Sequence, residues 1–215
     1  MKQVIYCISG LGADEKIFSN LEFNGYELRH VPWLRPHKKE RIDHYAKRMA
    51  GAIDHPHPII LGVSFGGMMG IEISRQLNVK KLILISSIKS ADELPRWMRV
   101  AGKLKLNKII PARSYTFTER IDNYRLGVSN EEEKLMARAY RKSADAVYID
   151  WAIHQVLNWN NYWQPDHLVH LHGDADRIFP VKKISKAHLI KGGTHMMIYN
   201  RSREICDFIN EQLKK

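Results

Sequence analysis

The segment from Pro58 to Leu77 constrains the fold of this chain more than any other stretch. An apolar, β-branched run from Ile59 to Val63 predicts a buried strand. The residues after it predict a packed helix from the spacing of Met68, Met69, Ile71 and Leu77. Ser64 therefore lies where a strand turns directly into a helix.

Ser64 is flanked by glycine two positions away on each side, at Gly62 and Gly66. A sharp strand-to-helix turn leaves no room for side chains at those two positions. It also forces the central residue into a strained backbone that lifts its side chain above the sheet edge. The same pattern fits a simpler interpretation, a tight turn in which Ser64 only caps the following helix.

Strand and helix patterns alternate along much of the chain, which predicts a parallel sheet with helices on both faces. A helical stripe is predicted over Glu40–Ile53, and an amphipathic helix ends near Leu213. Ligands of such sheets bind at the carboxyl ends of the strands. The further predicted strands are Val4–Ile8, Tyr26–Val31, Lys81–Ile85, His167–His172 and Ala187–Ile190.

The alternation stops between the fourth and fifth predicted strands, where only helical patterns occur. We interpret residues 90–163 as a helical lid inserted into a core formed by residues 1–89 and 164–215. Its apolar face is expected to roof a pocket and its basic face to meet solvent. One stretch of the lid carries six basic residues and no acidic one: Arg96, Arg99, Lys103, Lys105, Lys108 and Arg113.

Length and composition limit the function classes. The 215 residues, 44% of them hydrophobic, can bury one large core, and no apolar run approaches the ~20 residues that span a bilayer. The first residues do not resemble a secretory signal, so we expect a cytoplasmic protein. Cys7 and Cys206 are expected to be small buried hydrophobes, so neither a disulfide, a metal site nor a cofactor is predicted.

The formal net charge of +11 has several possible meanings. Because the lysines and arginines are spread widely and no nucleic-acid module is recognisable, we expect no nucleic-acid partner. A solvated basic surface is the simplest interpretation, and an anionic lipid or an acidic substrate or carrier is the alternative.

Three polar side chains follow different strands and should project from one edge of the sheet. A serine, an aspartate and a histidine in that arrangement provide a nucleophile, an orienting carboxylate and a general base. The loop Gly10-Leu11-Gly12 lacks the patterns of phosphate-binding and dinucleotide-binding loops, but it offers the N–H of Leu11 to an oxyanion.

The chain resembles the α/β-hydrolase superfamily, in which nucleophile, acid and base follow in that order. It is most similar to small bacterial serine hydrolases whose first loop has the sequence Gly-Leu-Gly-Ala-Asp. The resemblance implies an α/β-hydrolase fold, a mostly parallel sheet with a helical lid insertion. The matching motifs are Gly62-Val63-Ser64-Phe65-Gly66-Gly67, the segment from His172 to Pro180, and Gly193-Thr194-His195.

The resemblance also implies roles for individual residues. Ser64 matches the nucleophile and His195 the general base, while the backbone N–H groups of Leu11 and Phe65 match the oxyanion hole. Asp176 fits the Gly-x-x-Asp spacing of the family's acid better than Asp174, which is expected to cap the turn.

Other features are expected to be structural or to contact substrate. His172 precedes Gly173 at a strand end, where the family often has histidine for structural reasons. Ser9 replaces a histidine found in many relatives, so the support of the first loop is expected to differ. Side chains expected to line the substrate pocket are Trp97, Met136, His154, Trp159 and Met196.

These features favour a hydrolase that cleaves a carboxylic ester or thioester. The same three residues could serve an acyltransferase, a C–C hydrolase or a perhydrolase, because one fold hosts all of these reactions. A third hypothesis is a binding module without catalysis, in which the basic helix around Arg99 and Lys103 docks an acidic carrier protein or anionic lipid.

Overall fold

The computed structural model describes residues 2–105 and 115–214, with side chains for all of these except 115–118. Lys108 and Arg113 of the predicted basic stretch lie outside the described residues. The helices are α1 (Ile42–Ala50), α2 (Phe65–Ser74), α3 (Arg96–Lys103), α4 (Tyr115–Leu126), α5 (Glu131–Ser143), α6 (Ala146–Leu157), α7 (Met197–Asn200) and α8 (Ser202–Leu213).

Six strands form one sheet in the order β2-β1-β3-β4-β5-β6, and every neighbouring pair is parallel. All six were predicted, each with bounds within one residue of those observed. The parallel sheet with helices is therefore confirmed. The strands are β1 (Gln3–Ile8), β2 (Tyr26–His30), β3 (Ile59–Val63), β4 (Lys81–Ile85), β5 (Leu168–Gly173) and β6 (His188–Ile190).

Both faces of the sheet are covered, because successive side chains of a strand point to opposite faces and both sets are apolar here. On one face, Tyr6, Ile60 and Leu82 share a core with residues of α1 and α2. On the other face, Leu61 and Ile83 share a core with residues of α7 and α8. The carboxyl ends of the strands consequently form a rigid edge between two packed layers.

The segment between β4 and β5 contains the four helices α3 to α6. The helix α3 approaches α6 closely at Gly102, where a Cβ atom would lie 2.3 Å from the carbonyl oxygen of Leu157. This contact fixes which side of α3 faces the protein. The apolar side chains of this segment do not all turn inward, since Met98 is buried whereas Val100 and Leu104 are exposed.

Within the ranges that the structure describes, no helix combines the length and the apolarity that crossing a bilayer requires.

Candidate active site

Ser64 lies between β3 and α2 with a φ of 53° and a ψ of −120°, a strained conformation for a residue with a side chain. Its side chain makes no capping hydrogen bond to α2. The simpler interpretation of Ser64 as a helix cap is therefore wrong. The flanking glycines are required by space, because a Cβ on Gly62 would lie 2.4 Å from the Gly66 oxygen and one on Gly66 would lie 2.2 Å from the Ile8 oxygen.

A chain of hydrogen bonds joins three side chains at the carboxyl edge of the sheet. The Ser64 Oγ lies 2.9 Å from Nε2 of His195, and Nδ1 of His195 lies 2.8 Å from Oδ2 of Asp176. An ionised carboxylate only accepts, so Nδ1 carries the proton and Nε2 is left to accept from the serine hydroxyl. The three side chains follow β3, β5 and β6, as the order of the motifs predicts.

Asp176 is buried and held in its charged form. Its Oδ1 accepts the backbone N–H groups of Ile178 at 2.8 Å and Phe179 at 2.9 Å. Burial alone would raise the pKa of Asp176, but the nearby imidazoles of His195 and His172 and the hydrogen bonds outweigh it, so the pKa is lower than usual. The carboxylate is thus positioned to orient the ring of His195.

Asp174 and His172, which lie near Asp176 in the sequence, make other hydrogen bonds. Asp174 is exposed, and its carboxylate accepts the N–H of Gly192 at 2.6 Å, which ties the loop after β6 to the loop after β5. His172 is buried, and its Nε2 donates to the Phe179 oxygen at 2.7 Å. Burial lowers the pKa of His172 below the usual value of a histidine. Both residues shape the loop that carries Asp176.

The backbone N–H groups of Leu11 and Phe65 face no hydrogen-bond acceptor among the described residues. Phe65 begins α2, where the helix dipole favours negative charge. The loop of Leu11 lies against the serine, because a Cβ on Gly10 would be 3.5 Å from Cβ of Ser64. Both N–H groups therefore belong to segments that adjoin Ser64.

Ser9 supports the first loop through two hydrogen bonds of its hydroxyl. Its hydroxyl donates to the Ala13 oxygen at 2.7 Å and accepts from Nε1 of Trp33 at 3.0 Å. The Trp33 ring in turn stacks on Phe65, with ring centroids 5.2 Å apart. Ser9 and Trp33 therefore link the loop carrying Leu11 to the turn carrying Phe65.

A cavity of about 580 Å³ opens over Ser64 and His195. Its walls come from the first loop, from α3 to α6 and from the loops after β5 and β6. Of the predicted pocket residues, Trp97 and Met196 line it. The other described lining residues are mostly apolar, and the polar ones on α4 and α5 are Asp122, Arg125, Tyr140 and Arg141.

Three pocket predictions are corrected. Met136 is half-buried and packs against the apolar cluster that includes residues of α7 and α8, without lining the cavity. Trp159 is buried and donates its Nε1 to the Glu72 carboxylate at 2.7 Å. His154 lines a separate polar groove beside α1 and α2. Met136 and His154 lie on helices whose rotation about the helix axis the sequence patterns do not give, and Trp159 follows the end of α6.

The lining residues Arg125 and Arg141 were not predicted, because no motif surrounds them and their helices had no known orientation. Across the part of the chain with described side chains, no group of three or more His, Cys, Asp or Glu residues could hold a metal ion.

No protein-family model matches this chain, and no curated protein sequence matches it. Several solved structures match this chain. A bromoperoxidase from Bacillus anthracis has a TM-score of 0.71 at 15% identity, covering 100% of this chain and 93% of its own. An esterase from Thermogutta terrifontis, with malate bound, has a TM-score of 0.70 at 18% identity and coverages of 100% and 90%. The N-acyl homoserine lactonase AidH, complexed with N-butanoyl homoserine, has a TM-score of 0.70 at 16% identity and coverages of 100% and 89%. The all-parallel sheet, the helices on both its faces and these structural neighbours show that the chain has the α/β-hydrolase fold.

Proposed function

We propose that the protein is a serine hydrolase that cleaves a carboxylic ester through an acyl-enzyme. The observation that carries this proposal is the chain of hydrogen bonds from Asp176 through His195 to Ser64, which ends at the floor of a largely apolar cavity. A hydroxyl that hydrogen-bonds to an imidazole, itself oriented by a buried carboxylate, is an activated nucleophile.

The proposed reaction has two halves. In the first, Ser64 Oγ attacks the ester carbonyl carbon while His195 Nε2 takes the hydroxyl proton, and the same nitrogen then returns that proton to the leaving alkoxide. In the second, water attacks the acyl-enzyme with His195 again as the base, which releases the acid and restores the hydroxyl. Asp176 holds the ring and stabilises the imidazolium in both halves.

The oxyanion of each tetrahedral intermediate is proposed to bind the N–H groups of Leu11 and Phe65. Support comes from their lack of acceptors among the described residues and from the position of Phe65 at the start of α2. Fixed donors that require no reorganisation typically contribute ~10²- to 10³-fold each to kcat.

The apolar lining supports an uncharged acyl group as the part of the substrate bound inside the cavity. A thioester is the related candidate, since the same attack and the same oxyanion hole serve both. The basic residues Arg96, Arg99 and Lys103 near the cavity favour acidic acyl donors, such as coenzyme A or carrier-protein thioesters. That preference should shrink as the salt concentration rises, and equal rates at low and high salt would exclude it.

The test combines covalent labelling with turnover. The intact protein should react with a fluorophosphonate and hydrolyse p-nitrophenyl esters of graded chain length, whereas Ser64→Ala should do neither. Ser143→Ala, an exposed serine on α5, is the matched control and should behave like the wild type. Labelling of Ser64→Ala to the same extent as the wild type, or no labelling of either, would contradict the proposal.

A second candidate is acyl transfer or perhydrolysis with the same three side chains, favoured by a structural neighbour described as a bromoperoxidase. Measuring how the acyl group partitions between water and added alcohol or peroxide separates these reactions from hydrolysis. A non-catalytic binding module would instead show no turnover across an ester and thioester panel, together with tight binding of an acidic partner.

A further inference from the structure

The helix α3 and the residue after it carry a stripe of exposed apolar side chains that no described residue buries. Trp97 is 49% exposed, Val100 53% and Leu104, directly after the helix, 61%. With 3.6 residues per turn, these three positions fall within about 60° of the helix circumference. Large apolar side chains grouped in this way differ from singly scattered ones and indicate an interaction surface.

The stripe is fixed in its outward position. Met98 and Gly102 occupy the opposite side of α3 and are buried, and Gly102 lies directly against the backbone of Leu157 in α6. No side chain larger than hydrogen fits at Gly102 in this packing. Because α3 is held against α6 through that side, turning the stripe inward would require the helix to leave its site.

Cations flank the stripe along one side. By the same geometry, Arg96, Arg99 and Lys103 cover about 60° of the circumference next to the apolar residues. Residues 96–105 contain no acidic side chain, and Lys105 adds a fourth cation just past the helix end. The surface is therefore amphipathic, and all of its charged side chains are basic.

The stripe begins at the rim of the cavity above Ser64. Trp97 both lines that cavity and protrudes from the surface, and the guanidinium of Arg125 lies over its ring, 4.9 Å from the centroid. Ile121, one turn before Arg125 on α4, is also exposed. Trp97 therefore connects the exposed stripe of α3 to the largely apolar interior of the cavity.

We infer that this surface, defined by Trp97, Val100 and Leu104 with Arg96, Arg99 and Lys103, docks the protein on an anionic lipid surface. Tryptophan is suited to the boundary between headgroups and acyl chains, and the two aliphatic side chains would enter the acyl region. Arginine and lysine would pair with lipid phosphates and reach them along their flexible stems. The net charge of +11 adds long-range attraction to the same partner.

An acidic soluble protein is the competing occupant. A lipid surface accounts better for the continuity between stripe and cavity, since an ester dissolved in acyl chains could pass from one apolar environment to the other. Docking itself does not depend on the proposed hydrolysis, because vesicle binding is measured without any substrate.

The first experiment is sedimentation of the full chain with vesicles. We expect binding to vesicles of phosphatidylcholine with phosphatidylglycerol, and at least about tenfold weaker binding to phosphatidylcholine alone. The double variant Val100→Gln/Leu104→Gln keeps the charge and touches no described part of the cavity lining. It should bind about tenfold more weakly than the wild type. Leu135→Gln, an equally exposed leucine on α5, should bind like the wild type.

The second experiment separates specific docking from general charge. Arg96→Gln/Lys103→Gln should weaken binding to the anionic vesicles by about 20-fold. Arg120→Gln/Lys142→Gln removes the same charge from exposed positions on α4 and α5 and should have a much smaller effect. Equal losses in the two pairs would overturn the proposal. The proposal would also be overturned if the protein bound no vesicles, even if it bound an acidic carrier protein instead.

Discussion

At the scale of single residues, the conformation of Ser64 depends on a second serine beneath it. The hydroxyl of Ser87, after β4, donates to the backbone oxygen of Ser64 at 2.7 Å. A Cβ on Gly67 would lie 2.4 Å from that hydroxyl, so the first turn of α2 is packed directly on it. The backbone oxygen of Ser87 itself accepts from Nε2 of His170 at 3.1 Å. Ser87 is therefore a positioning residue for the proposed nucleophile.

Replacing Ser87 with alanine should lower the free energy of unfolding by about 1–2 kcal/mol, because the buried Ser64 oxygen loses a donor. The loss of support for the strained turn should also lower kcat more than it changes KM. The neighbouring Ser86 is the matched control, since its buried hydroxyl has no partner among the described residues. Chemical denaturation and ester kinetics measure both effects, and equal behaviour of Ser86→Ala and Ser87→Ala would contradict the prediction.

Asp176→Asn should retain the fold but lower kcat by roughly 10³- to 10⁴-fold, because an amide can donate to His195 and favour the wrong tautomer. The substitution should also change how the free energy of unfolding depends on pH in the acid range. The pKa of Asp176 is lower in the folded protein than the ~3.9 of an unfolded aspartate. The ionised carboxylate of Asp176 therefore stabilises the folded protein at pH values above the pKa of the unfolded aspartate. This stabilisation is lost as the pH falls through the pKa of Asp176 in the folded protein.

Unfolding free energies of the wild type and Asp176→Asn measured at pH 7 and at about pH 3 test this sign. The difference between the two proteins should shrink toward the lower pH. A difference that grows on acidification would show that the carboxylate is not stabilised in its charged form.

At the scale of secondary-structure elements, a buried ion pair connects the segment after β4 to the loop before β6. The ammonium of Lys89 lies 2.7 Å from Oε1 of Glu93, and the same oxygen accepts the N–H of Ser185 at 3.0 Å. Burial would raise the pKa of Glu93, but the hydrogen bonds and the charge of Lys89 outweigh it, so the pKa is lowered. Both side chains are almost inaccessible to solvent, so each charge needs the other to compensate for its burial.

Lys89→Met should destabilise the protein by about 3–5 kcal/mol, because it leaves the carboxylate of Glu93 buried without its cation. The double variant Lys89→Met/Glu93→Met should recover part of that loss, since no charge then remains unpaired. Lys134→Met, which breaks the exposed pair with Glu131 on α5, is the control and should cost less than about 1 kcal/mol. Denaturant midpoints measure all three, and a double variant less stable than Lys89→Met would contradict the prediction.

The strands and the helices of the chain differed in how well the sequence predicts them. The strands are short apolar runs whose ends are marked by glycine or polar residues, and their bounds were predicted within one residue. Helical patterns were recognised in the 90–163 segment, but they do not indicate that apolar residues such as Leu104 and Leu135 are exposed. Apolar residues on these helices face both the core and solvent, so periodicity alone does not give the rotation that the contact at Gly102 fixes.

At the scale of the whole molecule, the candidate site joins a rigid part to a part assembled by helix packing. Ser64, Asp176 and His195 were predicted because each follows a strand and the sheet brings strand ends together. The cavity above them depends on where α3 to α6 meet, which involves contacts between distant residues. Met136, His154 and Trp159 were therefore wrongly placed in the pocket, whereas Arg125 and Arg141 were not foreseen.

The cavity itself should determine the acyl-chain preference, because its lining is largely apolar and its volume is about 580 Å³. Each methylene buried there should raise kcat/KM by about fourfold, from ~0.8 kcal/mol per CH₂, until the space is filled. Ala137 of α5 is buried and lines the cavity, so Ala137→Leu should remove room for the end of a long chain. We expect octanoate esters to lose at least about tenfold in kcat/KM, while acetate esters change by less than about twofold.

Ala139→Leu is the control, because residue 139 lies on the same helix but is exposed. The two variants add the same side chain, so differences in helix propensity cancel and only the position relative to the cavity remains. If both variants kept the wild-type ratio of octanoate to acetate turnover, the acyl chain would not occupy the space between the sheet edge and α5. If both variants lowered the ratio of octanoate to acetate turnover equally, the effect would arise from the helix and not from the cavity. Only a loss confined to Ala137→Leu places the acyl chain beside α5.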